Sequence, residues 1–167
     1  MQACGDSGPN SNTGTSSTTL SDIYLQQVTH QYPPNNNDVH NIFTVKDDGS
    51  GITQLTSSPP TQQFDNAEPA VSPDGTRIAF MTMRHRLNNN NTAEIYVMDI
   101  NGTNEVQLTN NNGVYDDGPR WCGNDRLVYA SDGSIMEMDA ADLNGDGNGD
   151  NPVTIIAAGA NAYNFSV

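Results

Sequence analysis

The sequence predicts an all-β protein, made of four-stranded antiparallel sheets that form about three blades of a β-propeller. Three observations lead to this prediction. Short segments of alternating apolar residues are separated by turn residues, one hairpin pattern returns after 53 residues, and no stretch has helical periodicity. Four strands in a repeat of about 50 residues are typical of a propeller blade.

The composition argues against nucleic-acid binding and against a membrane-spanning helix. The chain has 167 residues, with 6 basic and 20 acidic side chains and a formal net charge of −14. Such a chain has no basic face with which to neutralise the phosphates of a nucleic acid. No segment approaches the run of about 18 apolar residues that a membrane-spanning helix needs. We therefore expect neither nucleic-acid binding nor a transmembrane segment.

Two hairpins give the repeat its period. Residues 42–49 followed by 54–56, and residues 95–102 followed by 107–109, each contain an alternating β-branched and aromatic strand and a second strand ending in Leu-Thr. The Asp-Gly or Asn-Gly pair between them is the preferred sequence of a tight hairpin turn. A weaker third copy begins at Ile135.

Two further segments supply the first and second strands of the blades. In residues 69–80 and again in 119–129, a short strand is followed by a turn rich in Pro, Asp, Asn or Gly, and then by an arginine and an apolar strand. The predicted partial propeller covers residues 22–167. It contains an incomplete blade without its first strand and two complete blades, and it ends in a strand that matches the first strand of another blade. The boundaries expected for these parts are 22–60, 64–109, 115–157 and 162–167.

These segments carry a family resemblance. The stretches S-P-D-G-T-R-I-A-F, E-I-Y-V-M-D and Q-L-T resemble the repeat of TolB-type β-propellers, a WD40-like class common in bacterial envelope proteins. The match covers roughly residues 40 to 140, and Cys122-Gly123-Asn124 departs from its Ser-Pro-Asp pattern. The resemblance implies a location in the bacterial cell envelope, periplasmic or at the surface, and contacts with protein partners through a propeller face.

Three blades cannot close a ring, because a ring needs at least about four and open blades leave unpaired strand edges. Two explanations are open. Two chains could join head to tail as a six-bladed homodimer in which each lends its terminal strand to the other, or the chain could be a fragment of a longer propeller protein. Open edges could also pair with further copies in a self-assembling structural protein.

The N-terminal residues 1–21 have almost no bulky apolar side chains and no periodicity, so they are predicted to form a flexible tether. Within them, Ala3-Cys4-Gly5 resembles the cleavage junction of a bacterial lipoprotein, in which the cysteine becomes the lipidated first residue. On this interpretation Cys4 carries the lipid anchor and its signal has been removed. The alternative is an unmodified cysteine in a flexible end.

An insert in the last hairpin has oxygen-bearing side chains at every second position. The predicted calcium ligands are Asp142, Asn144, Asp146, Asn148 and Asp150. With Gly147 in the sixth place, they match the first half of EF-hand-like and dockerin loops. The twelfth place holds Val153 instead of a bidentate acid, so calcium would bind weakly or with help from Asp139. The alternative is an enlarged hairpin turn.

A pair of residues, Asp-Asn or Asp-Asp, precedes the first predicted strand of each complete blade. Asp65-Asn66 stands before Pro69, and Asp116-Asp117 stands before Pro119. These four residues are predicted to lie on one face near the central channel, where they would bind a basic segment of a partner. Alternatively, they cap turns through hydrogen bonds to the local backbone.

The leading hypothesis is a non-enzymatic binding or scaffold protein of the bacterial envelope. The alternatives are the propeller fragment of a hydrolase, prolyl-oligopeptidase-like or acting on polysaccharides, and the self-assembling structural subunit. The sequence offers no combination of nucleophile, base and oxyanion donors. An enzyme would therefore need residues outside this chain.

Overall fold

The structure, a computed structural model, describes residues 23–29, 39–59, 64–85, 92–111 and 113–158. These residues form eleven strands in three antiparallel sheets, and they contain no helix. Within the described ranges, no helix has the length and apolar character needed to cross a bilayer. The all-β class and the count of about three blades are confirmed.

Each sheet is one blade, and its strands pair in chain order. The first blade contains β1 (Ile23–Thr29), β2 (Val39–Val45) and β3 (Thr53–Gln54). The second contains β4 (Asn66–Val71), β5 (Arg77–Thr82), β6 (Glu94–Asp99) and β7 (Val106–Gln107). The third contains β8 (Asp116–Cys122), β9 (Arg126–Ser131), β10 (Ser134–Asp139) and β11 (Val153–Ile156).

The two repeated hairpins close in the same way. The backbone N–H of Gly49 donates to the carbonyl of Lys46 over 2.8 Å, and that of Gly102 donates to Asp99 over 2.9 Å. Both glycines have positive φ, +80° and +84°, which a residue without a Cβ adopts at little cost. Gly102 also lies against the first blade, where a Cβ would come within 3.1 Å of the Leu55 carbonyl oxygen.

The core lies between the blades, because the second blade is apolar on both faces. Alternate residues of β5 and β6 point to opposite sides. Ile78 and Phe80 pack with Ile42 of the first blade, while Ala79 and Met81 belong to the cluster that includes residues of the third blade. Side chains that alternate in this way bury a central sheet on both faces without a helix.

Polar contacts also join the second and third blades. The Trp121 indole N–H donates to the carbonyl of Ala70 over 2.8 Å. The Arg77 guanidinium lies 4.8 Å from the centre of the Trp121 ring and donates to the carbonyl of Ala140 over 2.9 Å. Strands β4 and β8, at the edges of their sheets, are thereby held side by side.

Bulges interrupt the ladders of these two edge strands. The register shifts between Ala67 and Ala70 in β4, and between Asp117 and Arg120 in β8. Each bulge contains a proline, Pro69 or Pro119, which has no N–H to give to a ladder. The bulges leave residues 68–69 and 118–119 outside the regular pairing, whereas the first two residues of β4 and of β8 stay paired.

The tether at 1–21, the lipidation site Cys4 and the terminal strand at 162–167 lie outside the described residues. Cys122, the last residue of β8, is disulfide-bonded.

Candidate functional site at the blade junctions

Three partly buried carboxylates lie at the start of the edge strands β4 and β8. We call Asp65, Glu68 and Asp117 the acidic rim. Asp65 Oδ1 accepts the backbone N–H of His40 over 2.9 Å and lies 2.9 Å from Nδ1 of the same histidine. About 28% of the Asp65 side chain is exposed, so this carboxylate is also open to an approaching group.

Glu68 joins the two edge strands at the bulge. Its Oε2 accepts the backbone N–H of Gly118 over 2.6 Å. Its φ is +56°, a left-handed conformation that is unfavourable for a residue with a Cβ, whereas the equivalent residue of β8 is Gly118 with φ +60°. Strain of this kind is found where a side chain has to be held in one direction. Sequence reasoning missed Glu68, because nothing in its local sequence signals a positive φ.

Asp117 lies in a partly buried and negatively charged environment. Burial raises its pKa, and the negative charges of Glu68 and Asp116 raise it further. In this part of the rim, Glu68 and Asp117 therefore lie close enough for their negative charges to repel each other. A cation placed beside it would relieve that repulsion.

The structure corrects the partner-binding prediction for Asn66 and Asp116. Both residues have an exposed fraction of 0%, so neither side chain can contact a partner. Asn66 and Asp116 occupy equivalent positions in their blades. Each is the first residue of its edge strand and pairs with the last residue of the next strand, Thr82 or Ser131. Both side chains are buried at the junctions between blades.

At the first junction, between the first and second blades, the buried polar groups are neutral. Thr56 Oγ1 accepts the backbone N–H of Ile42 over 2.9 Å and lies 3.4 Å from Asn41 Oδ1. Asn66 Nδ2 donates to the same Asn41 oxygen over 3.3 Å. One threonine and two amides thus link β2 to β4.

At the second junction, between the second and third blades, the same positions carry two acids. Thr109 Oγ1 accepts the backbone N–H of Ile95 over 2.9 Å and donates to Glu94 Oε2 over 2.8 Å. Burial raises the pKa of Glu94 to about 7, and the charge of Asp116 adds to this shift. Burial also raises the pKa of Asp116. Sequence reasoning missed Glu94, although it precedes Ile95 as Asn41 precedes Ile42 in the repeat.

The insert predicted to bind calcium folds as an enlarged turn between β10 and β11. The Asp142 carboxylate accepts backbone N–H groups from Gly145, Asp146 and Gly147 over 2.7 to 3.1 Å. Asn148 Oδ1 accepts the N–H of Asn110 over 3.0 Å, which ties the insert to the second blade. The turn thus reaches across the second junction.

The remaining predicted ligands are also engaged within the protein. Asp150 Oδ2 accepts the N–H of Leu143 over 2.9 Å. Asp139 pairs with Arg126 and accepts the Asn151 amide over 2.6 Å. Among the described residues, no group of three or more His, Cys, Asp or Glu is arranged to hold a metal ion. Calcium binding stays a prediction.

An open cleft of about 420 Å³ lies between the insert and the second junction. Tyr129, Met136 and Met138 contribute to its wall on the third blade, and Asn144 and Asp146 contribute from the insert. Polar and apolar side chains both line the cleft. Residues of the insert and the hydrogen-bond partners of the buried acids, Thr109 and Asn111, line the same cleft.

Comparisons with known proteins support the fold. No family model matches the sequence, and no curated protein sequence matches it. The structure is similar to one assigned to a TolB from Agrobacterium tumefaciens, with a TM-score of 0.58 and 20% sequence identity over 80% of this chain and 44% of that one. The structure of the tricorn protease gives a TM-score of 0.45 and 18% identity over 60% of this chain and 8% of that chain. The chain therefore spans less than half the length of its TolB neighbour, and its fold is that of a partial TolB-like β-propeller.

Proposed function

We propose that the chain is the propeller part of a non-enzymatic binding or scaffold protein of the bacterial cell envelope, and that its acidic rim binds a basic segment of a protein partner. The observation that carries this proposal is the rim itself. Asp65, Glu68 and Asp117 lie at the start of two neighbouring edge strands, and Glu68 is held there in a strained conformation.

Charge supports a basic partner. With a net charge of −14, the whole chain attracts cationic groups, and the rim concentrates negative charge on a fixed backbone. Complementary charge of this kind speeds association and fixes orientation, and its effect weakens as salt screens it. Binding at the rim should therefore be faster and tighter at low ionic strength.

The disulfide at Cys122 supports an envelope location. Disulfides persist in oxidising compartments such as the bacterial periplasm and are rare in the cytosol. The sequence has one other cysteine, Cys4. If the two cysteines of one chain pair, Cys4 has no thiol left for a lipid, so a disulfide and a lipid at Cys4 exclude each other. Intact mass after alkylation, with and without reductant, distinguishes these two forms.

The rim can be tested with a defined probe. The triple variant Asp65→Asn, Glu68→Gln and Asp117→Asn removes its three charges while retaining polar side chains of similar size. We expect a fluorescent peptide with four arginines to bind the variant about tenfold more weakly than the wild type at low salt. Fluorescence anisotropy at two salt concentrations measures this difference.

A matched variant separates the rim from the net charge. Asp47, Asp48 and Asp125 are exposed acids away from the rim, and changing all three to asparagine removes the same number of charges. We expect this control variant to bind the peptide nearly as well as the wild type. Equal weakening in both triple variants would show that net charge alone attracts the peptide, and the rim proposal would fail.

A second copy of the chain is the other proposed partner, through a head-to-tail six-bladed ring. The second blade has a neighbour on each face, whereas the first and third blades each pack on one other blade in the described part of the chain. Light scattering tests the ring. A mass of two chains supports it, and a monomer favours completion by further blades of a longer protein.

A further inference from the structure

Two carboxyl groups are buried together at the second junction. Glu94 is the first residue of β6, Asp116 is the first residue of β8, and their exposed fractions are 2% and 0%. The backbone holds these two positions together, because Ala93 and Tyr115 form a parallel bridge and the Asp116 N–H donates to the Ala93 carbonyl over 3.0 Å. The acids cannot separate unless the contact between the blades is broken.

The hydrogen-bond partners of the pair are neutral. The groups that hydrogen-bond to Glu94 are the Thr109 hydroxyl, the Thr92 hydroxyl and the Asn111 backbone N–H, and those that hydrogen-bond to Asp116 are the side chains of Ser131, Thr109 and Asn111. Asp116 Oδ1 is buried and has no hydrogen-bond partner. Two ionised carboxylates in such a place would repel each other with no countercharge between them, which is a strongly unfavourable arrangement.

The ionisable groups around the pair add no positive charge to it. In the described part of the chain, the groups that act electrostatically on Glu94 or Asp116, or respond to them, are two acids and two phenols. They are Asp117, Asp132, Tyr96 and Tyr129. Arg84 lies over the ring of Tyr96 and is itself paired with Glu105.

The first junction shows what the same geometry requires when charge is absent. There, Asn41 and Asn66 occupy the positions of Glu94 and Asp116, and an amide N–H of one donates to the oxygen of the other. An amide carries its own hydrogen for this bond, whereas a carboxylate does not. A pair of carboxyl groups can form the equivalent bond only if one of them is protonated.

We infer that Glu94 and Asp116 share one proton, and that this proton holds the second and third blades together as a pH-sensitive latch. Loss of the proton would leave two buried negative charges at the junction and loosen it. The inference rests on the paired burial of the two acids and on the amides that replace them at the first junction. It does not depend on what the rim binds.

The direction of the pH effect follows from the pKa of Glu94. Its ordinary value is 4.5, and burial raises it to about 7 in the folded protein. A carboxyl group whose pKa is raised by folding contributes stability that is fully present below the ordinary value and is lost as the pH rises through the raised value. The latch should therefore be closed near pH 5 and weakened near pH 8.

Opening of the latch would also change the shape of the cleft beside the insert. Thr109, Asn111 and Ser131 line the cleft, and all three hydrogen-bond to Asp116 or Glu94. A change in the protonation of the pair would reorient these side chains. The shape of the cleft would thus depend on pH, although the cleft itself contains neither buried acid.

Hydrogen exchange and a direct titration test the latch on the wild-type chain. After correction for the intrinsic pH dependence of exchange, we expect the amides of Ile95 and Asp116 to be protected about tenfold less at pH 8 than at pH 5.5. The amide of Ile42, at the first junction, should keep its protection. In a carbon-13 titration of the side-chain carboxyls, one of the two acids should ionise well above its ordinary range. Ionisation of both acids below about pH 5 would overturn the inference.

Two variants provide a second, independent test. Glu94→Gln supplies the missing hydrogen permanently, so it should remove the pH dependence of protection at Ile95. If Glu94→Gln does not fold, Asp116→Asn makes the same change from the other side. An unchanged pH dependence in a folded variant would show that another group controls the junction, and the latch would be rejected.

Discussion

The two blade junctions have the same geometry but different charge. At each junction a threonine after the outer strand accepts the N–H of an isoleucine, Ile42 or Ile95, and contacts a polar residue that precedes it. The first junction completes this arrangement with amides, and the second completes it with carboxyl groups. The repeat therefore retains the backbone hydrogen bond and a buried polar group beside it, while the ability of that group to ionise differs between blades.

Removal of a buried apolar side chain should have the largest effect on the free energy of unfolding, and the effect should be equal at the two junctions. Ile42 and Ile95 are completely buried at equivalent positions. We expect Ile42→Ala and Ile95→Ala each to lower the free energy of unfolding by about 2 to 5 kcal/mol, measured by urea denaturation near pH 5.5. If only one of them destabilised the chain, the two blade contacts would not belong to one cooperative unit.

Removing the threonine hydroxyl should distinguish the junctions. Thr56→Val and Thr109→Val each leave an isoleucine N–H without its acceptor, at a cost of about 1 to 3 kcal/mol. Thr109→Val should cost more at high pH, because it also removes the donor to Glu94. Urea denaturation at pH 5.5 and pH 8 measures both effects, and a larger loss for Thr56→Val would contradict the comparison.

Placing an acid at the first junction should transfer the pH dependence. Burial raises the pKa of a carboxyl group, so in Asn41→Asp the free energy of unfolding should fall by about 1 to 2 kcal/mol more than in the wild type between pH 5.5 and pH 8. Asn41→Gln is the uncharged control. A pH profile of Asn41→Asp that matches the control would mean that this junction tolerates charge.

The bulge of β8 allows a further test of the equivalence between the blades, with a smaller expected effect on stability. Gly118 has a positive φ and open space around its Cβ position, so Gly118→Ala should lower the free energy of unfolding by about 1 kcal/mol through backbone strain alone. Gly118→Asn should recover part of this loss, because asparagine tolerates the left-handed region better. Thermal unfolding measures both, and equal losses would point to a steric cause instead.

The smallest expected effect is that of calcium on the insert at the second junction. Weak loops of the extracellular type bind calcium with dissociation constants of about 0.1 to 1 mM. Addition of 0.5 mM calcium should then stabilise the chain by about 1 kcal/mol or less. Asp142→Ala should abolish that gain, and an identical gain in this variant would show that calcium acts elsewhere.

The sequence predicted the blades well because each strand carries its own alternating pattern and each turn its own glycine. It predicted the burial of single polar residues poorly. In the sequence, Asn66 and Asp116 resemble ordinary turn residues, but they are the first residues of β4 and β8, and the neighbouring blade removes them from water. Alternation shows which residues share a face of a strand, but it does not show that a second sheet covers that face. Glu94 was missed for the same reason.

The bulges and prolines also decide where another strand could join. An edge strand accepts a new strand only if its backbone N–H and carbonyl groups form an uninterrupted row. Among the described edges, β4 and β8 are broken by bulges, β3 and β7 have two residues each, and β11 has four and follows Pro152. Only β1, with seven residues and no proline, has a long regular edge. With a single acceptor edge in the described part of each chain, exchange of strands at these edges can produce a closed ring or a linear polymer, but not a branched aggregate.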